Sequence, residues 1–202
     1  ISASDDFVSE KLVAYELGWR SQPNPELNFS LSTFYNVYDN IRTAEPGPDP
    51  LGIPITYANG IYGKTYGAEL STSNQISSSW YLRGGYTFLN KDLSIHSDSN
   101  DLNGGTAESS DPNHQFLIQT INDITSYIEF GSVIRYVGTL SNTDVPSYLN
   151  MDIRIGFKLP KGLELSVVGQ NLLDNQHAEF IPSSPSPRDI KRSIYAKIIW
   201  RL

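Results

Sequence analysis

The 202-residue chain contains no cysteine, so it has no disulfide framework and no thiolate for catalysis or metal binding. Charge is sparse at 18%, and Asp and Glu outnumber Lys and Arg by 22 to 15. A net charge of −7 is the opposite of a nucleic-acid footprint, so no nucleic-acid partner is expected. No apolar run approaches the ~18 residues of a spanning helix, which excludes a helical membrane protein. A membrane β-barrel is not excluded, because alternation dilutes its hydrophobicity. The chain starts at Ile1 without an initiator Met or a signal-peptide pattern, which reads as a processed precursor or an excised segment.

What is present is alternation. From 148 to 159, Tyr148, Asn150, Asp152, Arg154, Gly156 and Lys158 interleave with Leu149, Met151, Ile153, Ile155, Phe157 and Leu159. Successive side chains of a strand point to opposite faces, so one face is apolar and the other polar. The turn Pro160-Lys161-Gly162 follows, and then Leu163, Leu165 and Val167 alternate with Glu164 and Ser166. This reads as a long hairpin whose apolar side meets either a protein core or lipid.

The 12 prolines fall at expected turns and loops, because proline cannot donate to a β ladder. Between them the pattern predicts about nine strands and no helix. They lie near 10–21, 26–42, 62–75, 80–95, 115–122, 127–139, 147–159, 163–173 and 190–202, the fifth being the least cleanly sorted. Their connections alternate: 21–26, 76–79, 122–126 and 160–162 are short, whereas 43–61, 94–114, 140–146 and 174–188 are longer. Short turns at one rim and long loops at the other mark outer-membrane barrels. Trp19, Trp80 and Trp200 all fall at the short-turn end on the apolar face, as an interfacial girdle does. Strands of roughly 11 to 16 residues exceed the usual 5 or 6 of globular proteins and suffice to cross a bilayer. The expected fold class is all-β, an antiparallel up-and-down transmembrane β-barrel segment. Because bacterial barrels have even strand numbers, and both terminal strands would expose open edges, the 202 residues read as the C-terminal part of a larger barrel.

Several residues carry a family resemblance. The run Val168-Gly169-Gln170-Asn171-Leu172-Leu173-Asp174-Asn175-Gln176-His177-Ala178-Glu179-Phe180 resembles the G-x-N-L-(F/L)-D signature near the C-terminus of TonB-dependent outer-membrane receptors. The last stretch, from Arg192 to Leu202, is similar to their closing strand, with Leu202 where the family ends on Phe or Trp. Tyr66-Gly67-Ala68-Glu69-Leu70-Ser71, followed by the stretch from Trp80 to Asn90, resembles a G-x-E-L strand and its W-x-L partner. The segments 10–20 and 29–41 are similar to a further strand pair. The resemblance implies a barrel of about 22 strands around a plug, of which these would be the last nine, with the plug and N-terminal strands absent from residues 1–202. It implies residence in the bacterial outer membrane of a Gram-negative cell, with lipid around the barrel. The implied activity is uptake of a scarce extracellular ligand, above all a ferric siderophore, with haem, cobalamin or a sugar as other cargoes. Energy would come from the TonB complex, through an N-terminal region outside this sequence.

Five residues are candidate ligand contacts. His96, His114 and His177 fall in or beside the long loops, where a rigid scaffold presents binding groups. Their spacing does not suit a metal site. Tyr38 and Arg42 are expected to share the inward face near the outer rim, where an Arg suits an anionic ferric chelate. The bland alternative is a rim salt bridge. Charges along the polar faces, including Glu16, Arg20, Glu69, Arg83, Glu129, Arg135, Asp152, Arg154, Lys158, Glu164, Lys197 and Arg201, are expected to pair with one another in a hydrated lumen. The acidic stretch 97–111 fails the EF-hand spacing and reads as a flexible loop. Gly63-Lys64-Thr65 lacks the earlier glycine of a P-loop, since Ala58 stands there. Asn28-Phe29-Ser30 fits a glycosylation sequon but sits in a strand. No nucleophile triad or carboxylate pair has a defensible placement, so neither an enzyme nor a cofactor is expected. The rival readings are a soluble all-β ligand- or carbohydrate-binding module and a passive porin-like channel. The native polypeptide carrying this sequence is expected in the outer-membrane fraction, with an intact mass far above 22.5 kDa. A mass near that value in a soluble fraction would sink the receptor reading.

Overall fold

The computed structural model describes residues 2–4, 6–106, 110–140, 145–179 and 189–201. Among them there is no helix. The strands are β1 (Ser2–Ala3), β2 (Lys11–Asn24), β3 (Leu27–Glu45), β4 (Thr56–Ser77), β5 (Trp80–Ile95) and β6 (His114–Asp123). Then come β7 (Ile128–Val137), β8 (Tyr148–Leu159), β9 (Leu163–Gln170), β10 (Gln176–His177), β11 (Ile190–Lys191) and β12 (Ser193–Trp200). The main sheet runs β12-β9-β8-β7-β6-β5-β4-β3-β2, an up-and-down order in which sequential strands are neighbours. β1 adds to β4 in parallel, and β10 and β11 form a separate two-stranded sheet. Pro182, Pro185, Pro187 and Leu202 lie outside the described residues.

The nine expected strands are present, with altered ends. β3 and β4 run further than their patterns suggested, so the connection between them shrinks to 46–55. Asn59 and Gly60 look like loop residues in the sequence, yet tertiary contacts hold them in a strand. The Gly60 N–H donates to Thr43 Oγ1 at 3.2 Å, and the missing Cβ of Gly60 leaves room for the Ser99 and Thr43 side chains. Asn59 bonds both backbone groups of Val8 and the carbonyl of Asn40. Pro23 was expected in a turn and instead lies inside β2. It is the last residue but one of that strand, beside the short turn 25–26.

Register keeps the two faces apart. Across β7 and β8, Phe130 opposes Ile155, Ile134 opposes Met151 and Tyr136 opposes Leu149, while Arg135 opposes Asn150. Across β8 and β9, Phe157 opposes Leu165 and Lys158 opposes Glu164. Across β9 and β12, Leu165 opposes Ile198 and Leu163 opposes Trp200. A slip of one residue would exchange the faces of a whole strand. The apolar face nevertheless has no protein behind it. Leu17 is 75% exposed and Ile194 is 71% exposed, and among the described residues the buried hydrophobic side chains are Ile41, Ile61, Leu140 and Val145. A soluble sandwich would bury this face as its core.

The chain gathers into two compact units. The first comprises 1–18, 32–68 and 89–111 and holds the connections 46–55 and most of 96–113. The second comprises 19–31, 69–88 and 112–202 and holds the short turns 25–26, 78–79, 124–127 and 160–162. Those turns are stitched along one rim: the N–H of Gln75 donates to Glu26 O, Asp123 to Ser79 O, Lys158 to Tyr127 O and Arg201 to Gly162 O, all at 2.8–3.0 Å. All three tryptophans belong to the second unit and all are exposed. Trp80 donates its indole N–H to Thr120 Oγ1 at 2.9 Å, which satisfies two polar groups on the apolar face.

Three positive-φ residues set the shape of the last hairpins. Lys161 and Gly162 have φ of 62° and 71°, and a Cβ on Gly162 would run into the carbonyl of Arg201. Asn171 (φ 54°, 1% exposed) closes β9. Its N–H donates to Asp152 Oδ1 at 2.9 Å and its Nδ2 to Ile190 O at 3.0 Å. The Leu172 N–H donates to Met151 O, and Arg192 bonds the carbonyl of Asp174. The Asn of the family-like signature is thus the anchor of the segment between β9 and β12. Gly162→Ala is expected to destabilise the protein by about 2 kcal/mol through the left-handed backbone and the blocked Cβ, read as a lower denaturant midpoint in detergent. Asn171→Ala is expected to cost about 2 kcal/mol by removing the Nδ2 donor to Ile190 O and placing Ala at a left-handed φ. It should also speed tryptic cleavage after Lys191 and Arg192; an unchanged cleavage rate would count against the anchor.

Candidate functional site

The polar face is largely self-neutralised where β6 to β12 meet. Arg135 Nη2 lies 2.5 Å from Asp152 Oδ2. Arg154 pairs with Glu129, and Arg201 with Glu164. Lys158 reaches Asp123 at 3.2 Å and Glu129 at 3.8 Å. Glycine gives one of these pairs room: the Arg154 guanidinium lies 2.8–3.1 Å from where a Cβ on Gly156 would sit. The expectation of mutually paired charges holds for this set. Such partly exposed pairs contribute about 0–1 kcal/mol each; their value is to keep a wide polar face free of uncompensated charge.

In the first unit, the polar face of β3 opens onto a cavity of about 360 Å³ lined by Glu10, Phe34, Asn36, Tyr38, Lys91 and Asp111, among others. Asn36 Nδ2 donates to Thr65 Oγ1 at 3.3 Å, and the buried Asn36 Oδ1 has no hydrogen-bond partner among the described residues. Lys91 pairs with Asp111 across the cavity lining. The site therefore offers an aromatic wall, a carboxamide acceptor and an ion pair. Tyr38 is in it, and Arg42 is not. Asn40 adopts φ 60°, a left-handed kink inside the strand. The alternation shifts by one there, so that Ile41 joins Tyr38 in the lining. Arg42 is exposed, with its guanidinium over the Tyr57 ring at 5.1 Å and its N–H on Glu10 Oε1. The shared face expected for Tyr38 and Arg42 is thus corrected by the kink.

His96 follows β5 and packs against Tyr62 in a tilted arrangement with ring centroids 4.6 Å apart. It borders a second cavity of the first unit, about 490 Å³, together with Glu45, Asn59, Asp98, Ser99 and Asn100. Of the acidic stretch expected to be flexible, 99–105 is stapled down, while 107–109 lies outside the described residues. Glu45 accepts from Ser99 Oγ and Asn100 N at 2.6 Å. Asp101 accepts from Ala44 N at 2.9 Å and Gly105 N at 2.8 Å. Those carboxylates are occupied by donors, and among the described residues no His, Cys, Asp and Glu cluster suits a metal ion.

The other two histidines belong to the second unit. His114 opposes Phe88 in register, which places it on the apolar face, stacked on Phe88 at 5.2 Å and 2.8 Å from Tyr86 Oη through Nδ1. His177 is buried at 7% exposure in β10 and stacks on Tyr148 at 4.1 Å. Its Nε2 lies 3.4 Å from Glu179 Oε1. Asn150 Oδ1, Asn171 Oδ1 and His177 Nδ1 are buried without a hydrogen-bond partner among the described residues. The five candidate residues therefore do not converge on one site. Asn36, Lys91, Asp111 and Glu10 escaped the sequence reading. Phe34, Asn36 and Tyr38 share one parity on β3, and that pattern alone pointed to Asn36; Lys91 and Asp111 come together only through the fold.

Comparison with known proteins agrees with this architecture. Residues 2–172 match the family model described as TonB dependent receptor-like, beta-barrel. The probable TonB-dependent siderophore receptor PiuA of Acinetobacter baumannii is 24% identical over 193 residues, covering 88% of this chain and 25% of that protein. The chain thus spans about a quarter of the length of that relative. Among solved structures, the ferric-catecholate import receptor Fiu from E. coli K12 superposes with a TM-score of 0.72 at 22% identity, over 95% of this chain and 27% of that one. The pyoverdine outer-membrane receptor FpvA from Pseudomonas aeruginosa PAO1 does so with a TM-score of 0.71 at 19% identity, over 96% and 30%. With its alternating faces, exposed apolar side and alternating turn lengths, the chain belongs to the TonB-dependent receptor-like β-barrel family of the Gram-negative outer membrane.

Proposed function

We propose that these residues are the C-terminal part of the barrel of a TonB-dependent receptor that takes up a ferric siderophore. The observation that carries the reading is the match of residues 2–172 to the receptor barrel family, together with a relative whose name is that of a siderophore receptor. The share of PiuA that is covered supports a part of a longer receptor, and the Asn171 signature ahead of the last strand supports the C-terminal placement. The plug and the segment that engages TonB would then lie outside these residues. In this reading the outer loops capture the ligand and TonB-driven rearrangement of the plug releases it inward. Haem, cobalamin or a sugar would use the same route.

Tyr38 and His96 border open cavities and are proposed as direct ligand contacts. Arg42 presents an exposed guanidinium suited to an anionic chelate. His177 and His114 are proposed at the loop rim, with His114 the weaker candidate because it shares the apolar face with Phe88. In the full-length receptor, Tyr38→Ala, Arg42→Ala and His96→Ala are each expected to weaken binding of a ferric siderophore about tenfold, the scale of one lost contact of about 1.4 kcal/mol. His114→Ala should change it less than twofold. Binding of iron-55-labelled chelates to outer-membrane vesicles measures this. Uptake that persists after a protonophore collapses the energy supply would instead support the passive channel.

A further inference from the structure

The apolar face is not smooth. In the second unit it carries an open groove of about 570 Å³, walled by Leu27 and Phe29 of β3, Leu70 of β4, Leu82 of β5, and Phe116 and Ile118 of β6. That volume lies within the roughly 300–1,000 Å³ of ligand pockets. Gly84, opposite Ile118, stands in the gap between Leu82 and Tyr86. A Cβ there would meet Thr72 Cγ2 at 3.4 Å and Leu117 O at 3.9 Å, so the missing side chain leaves space rather than relieving a clash. Arg83, Gly85 and Leu117, also in the lining, have the other parity. Their side chains belong to the polar face and bring no charge into the groove.

The groove begins near the short-turn rim. Leu27 is the first residue of β3, and Leu82 lies two residues from the start of β5. Leu82 to Tyr86 spans roughly 13 Å at about 3.3 Å per residue, close to the roughly 15 Å that one leaflet gives to a hydrocarbon core of about 30 Å. Two polar groups beside the groove are satisfied: the Trp80 indole bonds Thr120, and Tyr86 Oη lies 2.8 Å from His114 Nδ1. Thr72 and Asn74 line the groove toward the rim, and among the described residues neither side chain has a hydrogen-bond partner. A carboxamide against hydrocarbon is costly unless its two N–H donors and its carbonyl find partners. Acyl chains offer none, whereas the ester and phosphate oxygens at the head of a phospholipid do. The groove therefore matches an amphiphile, apolar along its length and rich in acceptors at the rim end. It is continuous with the lipid-facing side of the sheet, and the short turns of outer-membrane barrels are periplasmic. We infer that the groove is a phospholipid site of the inner leaflet, with one acyl chain laid over Gly84 and the glycerol-ester region at Asn74. The inference goes beyond the siderophore reading and rests on the family's place in the outer membrane, not on the cargo.

The experiment takes the full-length receptor from outer membranes, delipidates it in mild detergent and titrates it with phosphatidylethanolamine, with native mass spectrometry as readout. The parent is expected to bind one phospholipid ahead of any others. Gly84→Leu, which fills the groove, is expected to weaken that binding about tenfold. Asn74→Leu, which keeps the groove and removes the amide, is expected to weaken it about threefold. Ile198→Phe, on the exposed apolar face of β12 and outside the lining, should change it less than twofold. Heat-modifiable mobility on gels checks that each variant still forms a barrel. Binding by Gly84→Leu within twofold of the parent, or an equal loss in Ile198→Phe, would overturn the site in favour of a uniform lipid shell. Tighter binding of lipopolysaccharide than of phosphatidylethanolamine, lost in Gly84→Leu, would overturn the inner-leaflet assignment. Failure of the receptor reading registers separately, as absence of ferric-siderophore binding by the unmodified protein.

Discussion

Register across β7, β8, β9 and β12 is the constraint on which the rest depends. Phe157 meets Leu165, and Leu165 meets Ile198, while Lys158 meets Glu164 and Lys197 meets Ser166. These apolar pairs share one face only because each strand keeps step with the next. That face is exposed, and an apolar sheet face with no protein behind it is stable only against lipid. A barrel wall satisfies its backbone through neighbouring strands, so its stability does not require a packed core. The scarcity of buried hydrophobic side chains among the described residues follows directly.

The polar face solves a different problem. Charges lining a wide interior are solvated, yet leaving several of one sign unpaired raises the cost of bringing strands together. Arg135 with Asp152, Arg154 with Glu129 and Arg201 with Glu164 neutralise one another across adjacent strands. Glycine on this face gives long side chains room to lie flat, as Gly156 does for Arg154. Asp152 has a second role, since its other oxygen accepts from the Asn171 N–H. One carboxylate therefore links the wall to the neck of the segment that carries His177.

Backbone exceptions determine where binding groups point. Asn40, at φ 60°, turns a regular strand into one whose outer end has its faces exchanged. Tyr38 stays in the cavity lining while Arg42 moves out to stack on Tyr57. Near the long connections, Glu45 and Asp101 fold the stretch after β5 onto the end of β3. An acidic loop that would repel itself in isolation is ordered by N–H and O–H donors that satisfy its carboxylates.

The sequence by itself determined the strands, their faces and the alternation of short turns with long connections. These follow from a period of two and from where proline and glycine stand, and both are local properties. Trp80 and β5, the β8–β9 hairpin and the gathering of the tryptophans in the unit of the short turns were all legible in this way. Tertiary structure alone decided the rest. The extension of β3 and β4 depends on Gly60 meeting Thr43 and Ser99 and on Asn59 meeting Asn40, contacts between segments apart in the chain. The side of the wall on which His114 lies depends on its pairing with Phe88. The cavity around Tyr38 needs Lys91 and Asp111, which pair across the cavity although they lie far from Tyr38 in sequence. Alternation specifies which face a residue takes along a regular strand. A single left-handed residue, or a contact between segments remote in the chain, resets that assignment, and no local pattern records either.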